Sequence, residues 1–419
     1  MPKAVILFGV IALFAAVATQ GLANVTRNLD SCVTEGPYEP RRQTVVLIDG
    51  SLMEDTGAEG VLPFWRREMA RFVDAQSSEA AVLMAPHERL SLGVLKPDGT
   101  GVNIFFEGCL PLLAQGEIEE LSAKETKLDW FLGNGWKDQN DEKSESFAKS
   151  AAISAVLAAR GLNFTPLTER RRFADSALTN SLRNFPGVDK NFGIPRLVLI
   201  TDLASFDLPD GDDEALISAG HLDGDKIGMR LGYSELHVIS QQSPNSGAAI
   251  HYLRALFLSS EADLKTLATA SGALTNIGAP LNVRTFQGTI QMKKEPEERL
   301  LVRMRIAWDQ NYTVVGSWME ETQVKVRYTP FNGSLTCSSD TNCEFIGDGL
   351  FAQIWSGKPG DEAACLRTEE RLPFGGFRTL SFKIAGEMVT GLVSDETCYF
   401  SGLENGTPFE MKEILNGRM

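Results

Sequence analysis

Histidine, basic charge and the glycine-rich signatures of common enzymes are scarce or missing in this chain. Only 4 of its 419 residues are histidine, which leaves little material for a histidine-rich metal site. The 40 Lys and Arg residues are outnumbered by 55 Asp and Glu residues, so the formal charge is −15. This balance argues against a nucleic-acid-binding protein, which needs clustered cations to neutralise phosphates. The chain has neither a glycine-rich phosphate loop nor a Gly-x-Ser-x-Gly motif, and no set of catalytic residues is predicted.

The composition that remains is that of a globular protein. Apolar residues make up 43% of the sequence and charged residues 23%, which argues against extensive disorder. A chain of 419 residues is long enough for two or three domains with buried cores.

The first 23 residues predict a secretory signal peptide. Lys3 supplies positive charge before the apolar run Ala4–Ala18, and Gly21–Ala23 ends in small residues, as at a cleavage site. A membrane anchor is the alternative, although the run is shorter than the ~20 residues that a spanning helix needs. No later segment of the sequence is long and apolar enough to cross a membrane. We therefore expect a periplasmic or secreted protein.

Six cysteines follow the signal, and an even number in an exported protein favours disulfides. Two of them lie in the first half of the chain, so bridges that stay within a domain would join Cys32 to Cys109. The last four allow three pairings, of which Cys337–Cys343 with Cys365–Cys398 is the most local. Their spacing does not match a zinc site.

The first half of the chain alternates apolar runs with helical patterns. Runs rich in β-branched residues at Thr44–Asp49, Arg196–Asp202 and Glu235–Ser240 predict buried strands, and a turn signal at Pro97–Gly99 separates two more. This alternation predicts a doubly wound, mainly parallel α/β sheet over residues 24–280. The predicted helices are Phe64–Ala75, Ala151–Ala159, Glu169–Phe185 and a stretch after Ser240 that runs through Ala273, with Lys137–Lys149 expected to be a surface loop.

The character of the sequence changes after about Pro280. No long helical period is visible there, and turns rich in Pro, Gly, Asn and Asp separate short apolar runs. Residues 281–419 therefore predict a separate, disulfide-containing all-β domain, either a sandwich or a small barrel. The predicted strands are Leu300–Ile306, Thr313–Trp318, Gln323–Tyr328, Leu350–Trp355 and Leu380–Ile384.

Oxygen-bearing side chains follow two of the predicted strands. Asp49 and Ser51 come after the first strand, Thr165 lies before a predicted helix, and Asp202 ends the strand that begins at Arg196. Carboxylates and hydroxyls are the ligands that a hard divalent cation prefers. Because ligands of a doubly wound sheet gather beyond the carboxyl ends of its strands, we expect Asp49 and Asp202 to lie close together at that edge, where their carboxylates would suit a cation.

The same residues resemble the metal-ion-dependent adhesion site of the von Willebrand factor A-type family, and the resemblance covers roughly Arg41–Pro280. It implies that Asp49, Ser51, Thr165 and Asp202 hold Mg²⁺, or Mn²⁺ or Ca²⁺, and that Leu264–Gly272 forms part of the last helix. The match is incomplete, because Met53 replaces the second serine of the family pattern and the usual glycines near the threonine and after the second aspartate are missing.

The resemblance implies a non-enzymatic, exported module that contacts a protein partner through the metal-site edge. The alternative is a structural subunit of an envelope or surface assembly in which the metal site is vestigial, and Met53 favours it. In that case Asp49 and Asp202 would only cap strand ends or join loop hydrogen bonds.

Overall fold

The computed structural model describes 18 stretches of the chain: 26–28, 32, 42–53, 61–74, 83–126, 135–160, 171–187, 194–203, 206–232, 234–241, 247–274, 282–291, 299–309, 311–321, 326–339, 341–350, 377–395 and 405–414.

A seven-stranded sheet organises the first part of the chain, in the order β1-β4-β3-β2-β6-β8-β9. Every neighbouring pair is parallel except β3 and β4, which the turn at Pro97–Gly99 joins as an antiparallel pair. The predicted mainly parallel sheet is thus present. Its strands are β1 Thr26–Asn28, β2 Arg42–Asp49, β3 Arg89–Leu95, β4 Val102–Cys109, β6 Ile194–Thr201, β8 Ser234–Ser240 and β9 Ala262–Ala268, and the two-residue strands β5 Arg171–Arg172 and β7 Phe206–Asp207 pair separately.

The central strand β2 shows why its apolar run folds this way. All eight of its residues are buried. Val46 and Ile48 pack into the hydrophobic core on one face of the sheet, whereas Val45 and Leu47 pack into the core on the other face. A parallel strand covered on both faces needs a nearly continuous apolar sequence, which is what the run supplies.

Helices cover both faces of the sheet. Helices α1 and α3 contribute side chains to one core, and helices α4, α5 and α6 contribute to the other. The result is a three-layer α/β architecture. The helices are α1 Val61–Val73, α2 Gln115–Lys124, α3 Trp136–Arg160, α4 Ala177–Arg183, α5 Asp213–Ile227 and α6 Gly247–Ser259.

The predicted surface loop Lys137–Lys149 is wrong, because these residues form the first half of α3. Ser144, Phe147 and Ala151 are buried, and their spacing of three and four residues places them on one face of the helix. Phe147 packs edge-on against Phe106 of β4. The buried stripe contains one large apolar side chain, so the polar outer face dominates the sequence pattern.

The predicted helix after Ser240 is present only over Gly247–Ser259, and its continuation through Ala273 is wrong, as is the last helix that the family resemblance implies over Leu264–Gly272. Helix α6 ends at Ser259, and Ala262–Ala268 forms the edge strand β9, parallel to β8. Leu264 and Leu267 are three residues apart and mimic a helical period. A register shift opposite Leu236 and His237 breaks the two-residue alternation that would have indicated a strand.

The predicted helix Glu169–Phe185 is shorter in the structure. Residues 171–172 are extended, Phe173–Asp175 form a turn of 3-10 helix, and α4 begins only at Ala177. Ser176 caps α4 by accepting a hydrogen bond from the amide of Thr179. This side-chain cap fixes the start of the helix.

The second part of the chain is a closed barrel of eight antiparallel strands, the barrel alternative of the predicted all-β domain. Each strand pairs with the next, and β10 pairs with β17 to close the barrel. Large apolar side chains such as Trp308, Trp318 and Phe345 fill the core. The strands are β10 Asn282–Gln291, β11 Arg299–Trp308, β12 Thr313–Glu321, β13 Val326–Ser339, β14 Asn342–Leu350, β15 Phe377–Ala385, β16 Met388–Asp395 and β17 Thr407–Glu413.

The described residues form two disulfides, Cys32–Cys109 and Cys337–Cys343, both of them expected pairings. The chain-entropy treatment assigns about 4.5 kcal/mol to the first, whose cysteines are 77 residues apart, and about 2 kcal/mol to the second, with a separation of 6. Cys365 and Cys398 lie outside the described residues. Within the part that the structure describes, no helix is long and apolar enough to cross a membrane. The disulfides are consistent with an exported protein.

Candidate functional site

The candidate site lies at the carboxyl edge of the sheet, where β2 and β6 end side by side. Ile48 pairs with Ile200, so Asp49 and Thr201 are the next residues on two neighbouring parallel strands. Asp202 follows Thr201 directly and is partly buried. Strand pairing therefore brings together residues that are 152 positions apart in the sequence.

Asp49 is the centre of the site. One carboxylate oxygen, Oδ1, accepts hydrogen bonds from the backbone amide of Ser51 at 3.0 Å and from its Oγ at 2.8 Å. The other, Oδ2, accepts from Thr201 Oγ1 at 2.9 Å. Both oxygens thus have hydroxyl donors, and the side chain is held in one orientation.

The turn after Asp49 needs glycine. A Cβ atom on Gly50 would lie 2.5 Å from the carbonyl oxygen of Leu95 and 2.8 Å from Cδ of Pro97. Only glycine allows the chain to pass this close to the end of β3. Residues Gly50–Met53 then form a turn of 3-10 helix that places Ser51 back over Asp49.

Burial is the largest influence on the pKa of Asp49. Burial raises the pKa of the Asp49 carboxyl, and the hydrogen bonds from Ser51 and Thr201 oppose that rise only in part. The nearby charge of Asp202 raises the pKa further. A positive charge placed here would stabilise the carboxylate, which is the chemistry expected of a cation site.

The donor set fits a hard cation in part. Two carboxylates and two hydroxyls meet at this edge, and each hydroxyl that donates to Asp49 keeps lone pairs for a metal. Within the described residues, however, no group of three or more His, Cys, Asp and Glu side chains could hold a metal ion. Beyond the two carboxylates, a cation here would depend on hydroxyl, backbone and water oxygens.

The remaining residues of the predicted site add no further oxygen ligand among the described residues. Thr165 lies outside the described residues. Met53, at the position of the missing serine, is 4% exposed and belongs to the hydrophobic core beneath the edge. The acidic run after Asp202 is partly structural, because Asp212 caps α5 by accepting a hydrogen bond from the amide of Ala215.

Sequence reasoning missed Thr201 as a member of the site. Its hydroxyl donates to Asp49, whereas the pattern had drawn attention only to Asp202 beside it. The sequence signal for Thr201 is its position at the end of a predicted strand, directly before Asp202. A hydroxyl at such a position can reach the end of the neighbouring strand as well as the aspartate can.

A scan against protein-family models found no match to the chain, and a search of curated proteins found none either.

Proposed function

We propose that this chain is an exported, non-enzymatic binding module that contacts a protein partner through the carboxyl edge of its sheet, with a divalent cation at Asp49, Ser51 and Asp202. The observation that carries the proposal is the buried Asp49 carboxylate, whose hydrogen-bond donors among the described residues are neutral and whose neighbour Asp202 is acidic. Mg²⁺, Mn²⁺ or Ca²⁺ would supply the missing positive charge, and a carboxylate of the partner would complete its coordination.

The resemblance to von Willebrand factor A-type domains supports the same proposal. The strand order places β2 in the middle of the sheet, with β3 on one side and β6 on the other. Ligands of open α/β sheets bind beyond the carboxyl ends of such strands. The exposed acidic residues Asp210 and Asp213 add negative charge close in sequence to Asp202, which favours a cation.

A second candidate is a structural subunit of an envelope assembly that binds its neighbours without a metal. The burial of Met53 in the core favours it, because the position that would offer a second hydroxyl is occupied by an apolar side chain. In this case the hydrogen bonds from Ser51 and Thr201 to Asp49 serve only to close the edge of the sheet.

Titration calorimetry of the purified protein with Mg²⁺, Mn²⁺ and Ca²⁺ separates the two candidates. The binding module predicts micromolar affinity for at least one ion, which is lost in the double variant D49A/D202A and kept in the exposed-loop control D210A. Stability should rise by about 2.7 kcal/mol at an ion concentration 100 times the dissociation constant. Absence of heat and of any thermal shift would leave the structural subunit.

Affinity capture from envelope extract, with and without a chelator, tests the partner. The proposal predicts a protein that is captured by the wild type and by D210A, and is released by chelator or by D49A/D202A. A partner that stays bound under all of these conditions would reject the metal-dependent contact and favour the structural role.

A further inference from the structure

A small cavity lies where the amino ends of strands β6, β8 and β9 meet strands β11, β12 and β13 of the barrel. Its volume is about 20 Å³, which is enough for one water molecule. Glu235, Asp263 and Lys265 line it from the sheet, and Arg305 lines it from the barrel. Lys265 Nζ also donates a hydrogen bond to Asn332 Oδ1 of β13 at 3.2 Å. The cavity therefore belongs to the contact between the sheet and the barrel, at the opposite edge of the sheet from the proposed cation site.

Two carboxylates lie next to each other at this contact. Glu235 and Asp263 are register partners on the parallel strands β8 and β9, so their side chains lie on the same face of the sheet. Glu235 Oε1 and Asp263 Oδ1 are both buried, and no described residue donates a hydrogen bond to either of these oxygens. Buried acceptors without a donor are costly. One donor placed between the two oxygens would remove this cost.

Lys265 neutralises one of the two carboxylates. Leu264 and Thr266 pair with consecutive residues of β8, so Lys265 is the extra residue of a β-bulge. Bulges redirect side chains, and Lys265 Nζ forms an ion pair with Asp263 Oδ2. This ion pair involves the other oxygen of Asp263, so Asp263 Oδ1 and Glu235 Oε1 remain the two buried oxygens to be satisfied.

The surrounding charges favour a proton over a metal ion at these two oxygens. The other charged or titratable groups near Glu235 are Arg42, Arg196, Arg305 and His237. Burial and the nearby cations lower the pKa of His237 well below its ordinary value, so this ring stays neutral. Two carboxylates and two cations line the cavity, so a divalent ion would add an uncompensated charge of two, whereas a proton adds one.

The pKa of Glu235 agrees with this geometry. Burial raises the pKa of its carboxyl, and the charge of Asp263 raises it further. The positive charges of Lys265, Arg42 and Arg196 oppose this rise only in part. Two adjacent carboxylates are expected to differ in this way, because the ionisation of one disfavours the ionisation of the other.

We propose that Glu235 and Asp263 share one proton, which Glu235 Oε1 donates to Asp263 Oδ1, and that this proton keeps the barrel closed against the amino edge of the sheet. Loss of the proton leaves two adjacent carboxylates beside one ammonium group. Water stabilises the second charge, and water reaches it when the contact opens. The contact is thus a pH-sensitive joint that is closed by protonation and loosened as the pH rises through the folded pKa of Glu235. This joint does not depend on the proposed cation site.

Amine labelling of the full mature protein, read by mass spectrometry as a function of pH, tests the joint. Lys265 is 19% exposed and Lys383 of the barrel is 66% exposed, so the ratio of their labelling rates reports the opening and cancels the common effect of pH on amines. In the wild type the ratio should rise above about pH 4.3, by up to about tenfold per pH unit, because opening releases one proton. E235Q keeps a donor without a charge, so its ratio should stay low. A flat ratio in the wild type, or the same rise in E235Q, would overturn the proposal.

Further variants separate a shared proton from burial alone. D263N removes the neighbouring negative charge, so the rise should move to lower pH, and an unchanged midpoint would reject the sharing. E413Q is the control, because Glu413 is a partly buried carboxylate that pairs with Arg284 elsewhere in the barrel, and its rise should match the wild type. Labelling with millimolar Ca²⁺ or Mn²⁺ in the D49A/D202A background tests the alternative occupant. Protection of Lys265 by either ion at high pH, lost on adding E235Q, would show a metal ion in place of the proton and would reject the proposal.

Discussion

The two ends of strand β2 each bury a carboxylate, and the two are stabilised in different ways. At the carboxyl end, Asp49 is 6% exposed, and the donors that the described part of the chain gives it are two hydroxyls and a backbone amide. At the amino end, Glu88 is fully buried and meets two guanidinium groups, with Arg42 Nη2 at 2.7 Å and Arg196 Nη2 at 3.1 Å. The backbone amide of Ala85 and the hydroxyl of Thr44 also donate to it.

Because of this difference in partners, the pKa values of the two buried carboxyls shift in opposite directions. Burial raises the pKa of both carboxyls, but for Glu88 the charges of Arg42 and Arg196 more than offset it, and the pKa of Glu88 is lowered. For Asp49 the neutral donors do not offset burial, and its pKa is raised. Glu88 is therefore completed by the protein itself, whereas Asp49 is stabilised further by a proton or an added cation. A buried carboxylate that the fold leaves incomplete is the better candidate for function.

The strongest test of this contrast neutralises each carboxylate in turn. E88Q removes the carboxylate that pairs with both buried guanidinium groups, Arg42 and Arg196, and should lower the free energy of unfolding by about 3–5 kcal/mol. D49N keeps an acceptor for Ser51 and places an amide beside the hydroxyl of Thr201, so it should cost less than about 1 kcal/mol. Urea denaturation at pH 7 measures both. A D49N variant as unstable as E88Q would show that the two ends do not differ.

The sequence predicts the elements whose signal is local. Strand β2 is a run of β-branched and aliphatic residues, and its burial on both faces requires that run. Helix α3 was missed in part because its buried stripe is made mostly of Ser and Ala. The sequence does not predict strand β9, because pairing with β8 decides this edge strand and the local spacing of Leu264 and Leu267 does not reveal that pairing.

The sequence predicts single residues of the candidate site but not the contacts between them. Asp49, Ser51 and Asp202 were identified from strand ends, but the bond from Thr201 to Asp49 joins residues 152 positions apart. Likewise, Glu88 meets Arg42 and Arg196 across 46 and 108 positions. These contacts follow from strand order and register, which the composition of either segment alone does not specify.

The second-largest expected difference between the two carboxylates lies in how their contributions to stability depend on pH. The folded pKa of Glu88 is lowered, so its contribution is present above its unfolded pKa and is lost as the pH falls through the folded value. The folded pKa of Asp49 is raised, so its contribution is present below its unfolded pKa and is lost as the pH rises through the folded value.

The difference in unfolding free energy between each variant and the wild type, plotted against pH, measures these two contributions. The stability deficit of E88Q relative to wild type should shrink as the pH falls below about 4.3, the ordinary value for glutamate. The stability of D49N relative to wild type should increase as the pH rises above about 3.9, the ordinary value for aspartate. Urea unfolding across the acid range gives both curves, and slopes of the same sign would contradict the assignment.

The hydroxyl of the fully buried Thr201 should affect both the stability of the protein and its pH dependence. T201V keeps the shape of the side chain but removes the only donor that the described hydrogen bonds give Asp49 Oδ2, which should cost about 1–3 kcal/mol. Losing this donor should also raise the Asp49 pKa further, so the pH dependence becomes steeper. T179V is the control, because Thr179 is fully buried and donates to the neutral carbonyl of Phe173. An equal change of pH dependence in both variants would contradict the role of Thr201.

Ser51 should show the smallest effect on stability and a large effect on cation binding. Its Oγ and its backbone amide donate to the same oxygen of Asp49, so S51A leaves Oδ1 with the amide and should cost under about 1 kcal/mol. The same change removes a hydroxyl from the proposed metal ligands, so divalent affinity should fall about tenfold or more. Unchanged divalent affinity in S51A would mean that this hydroxyl only orients Asp49. If instead neither the wild type nor S51A binds a divalent cation, both ends of β2 are completed by the protein itself, one by neutral donors and the other by guanidinium groups.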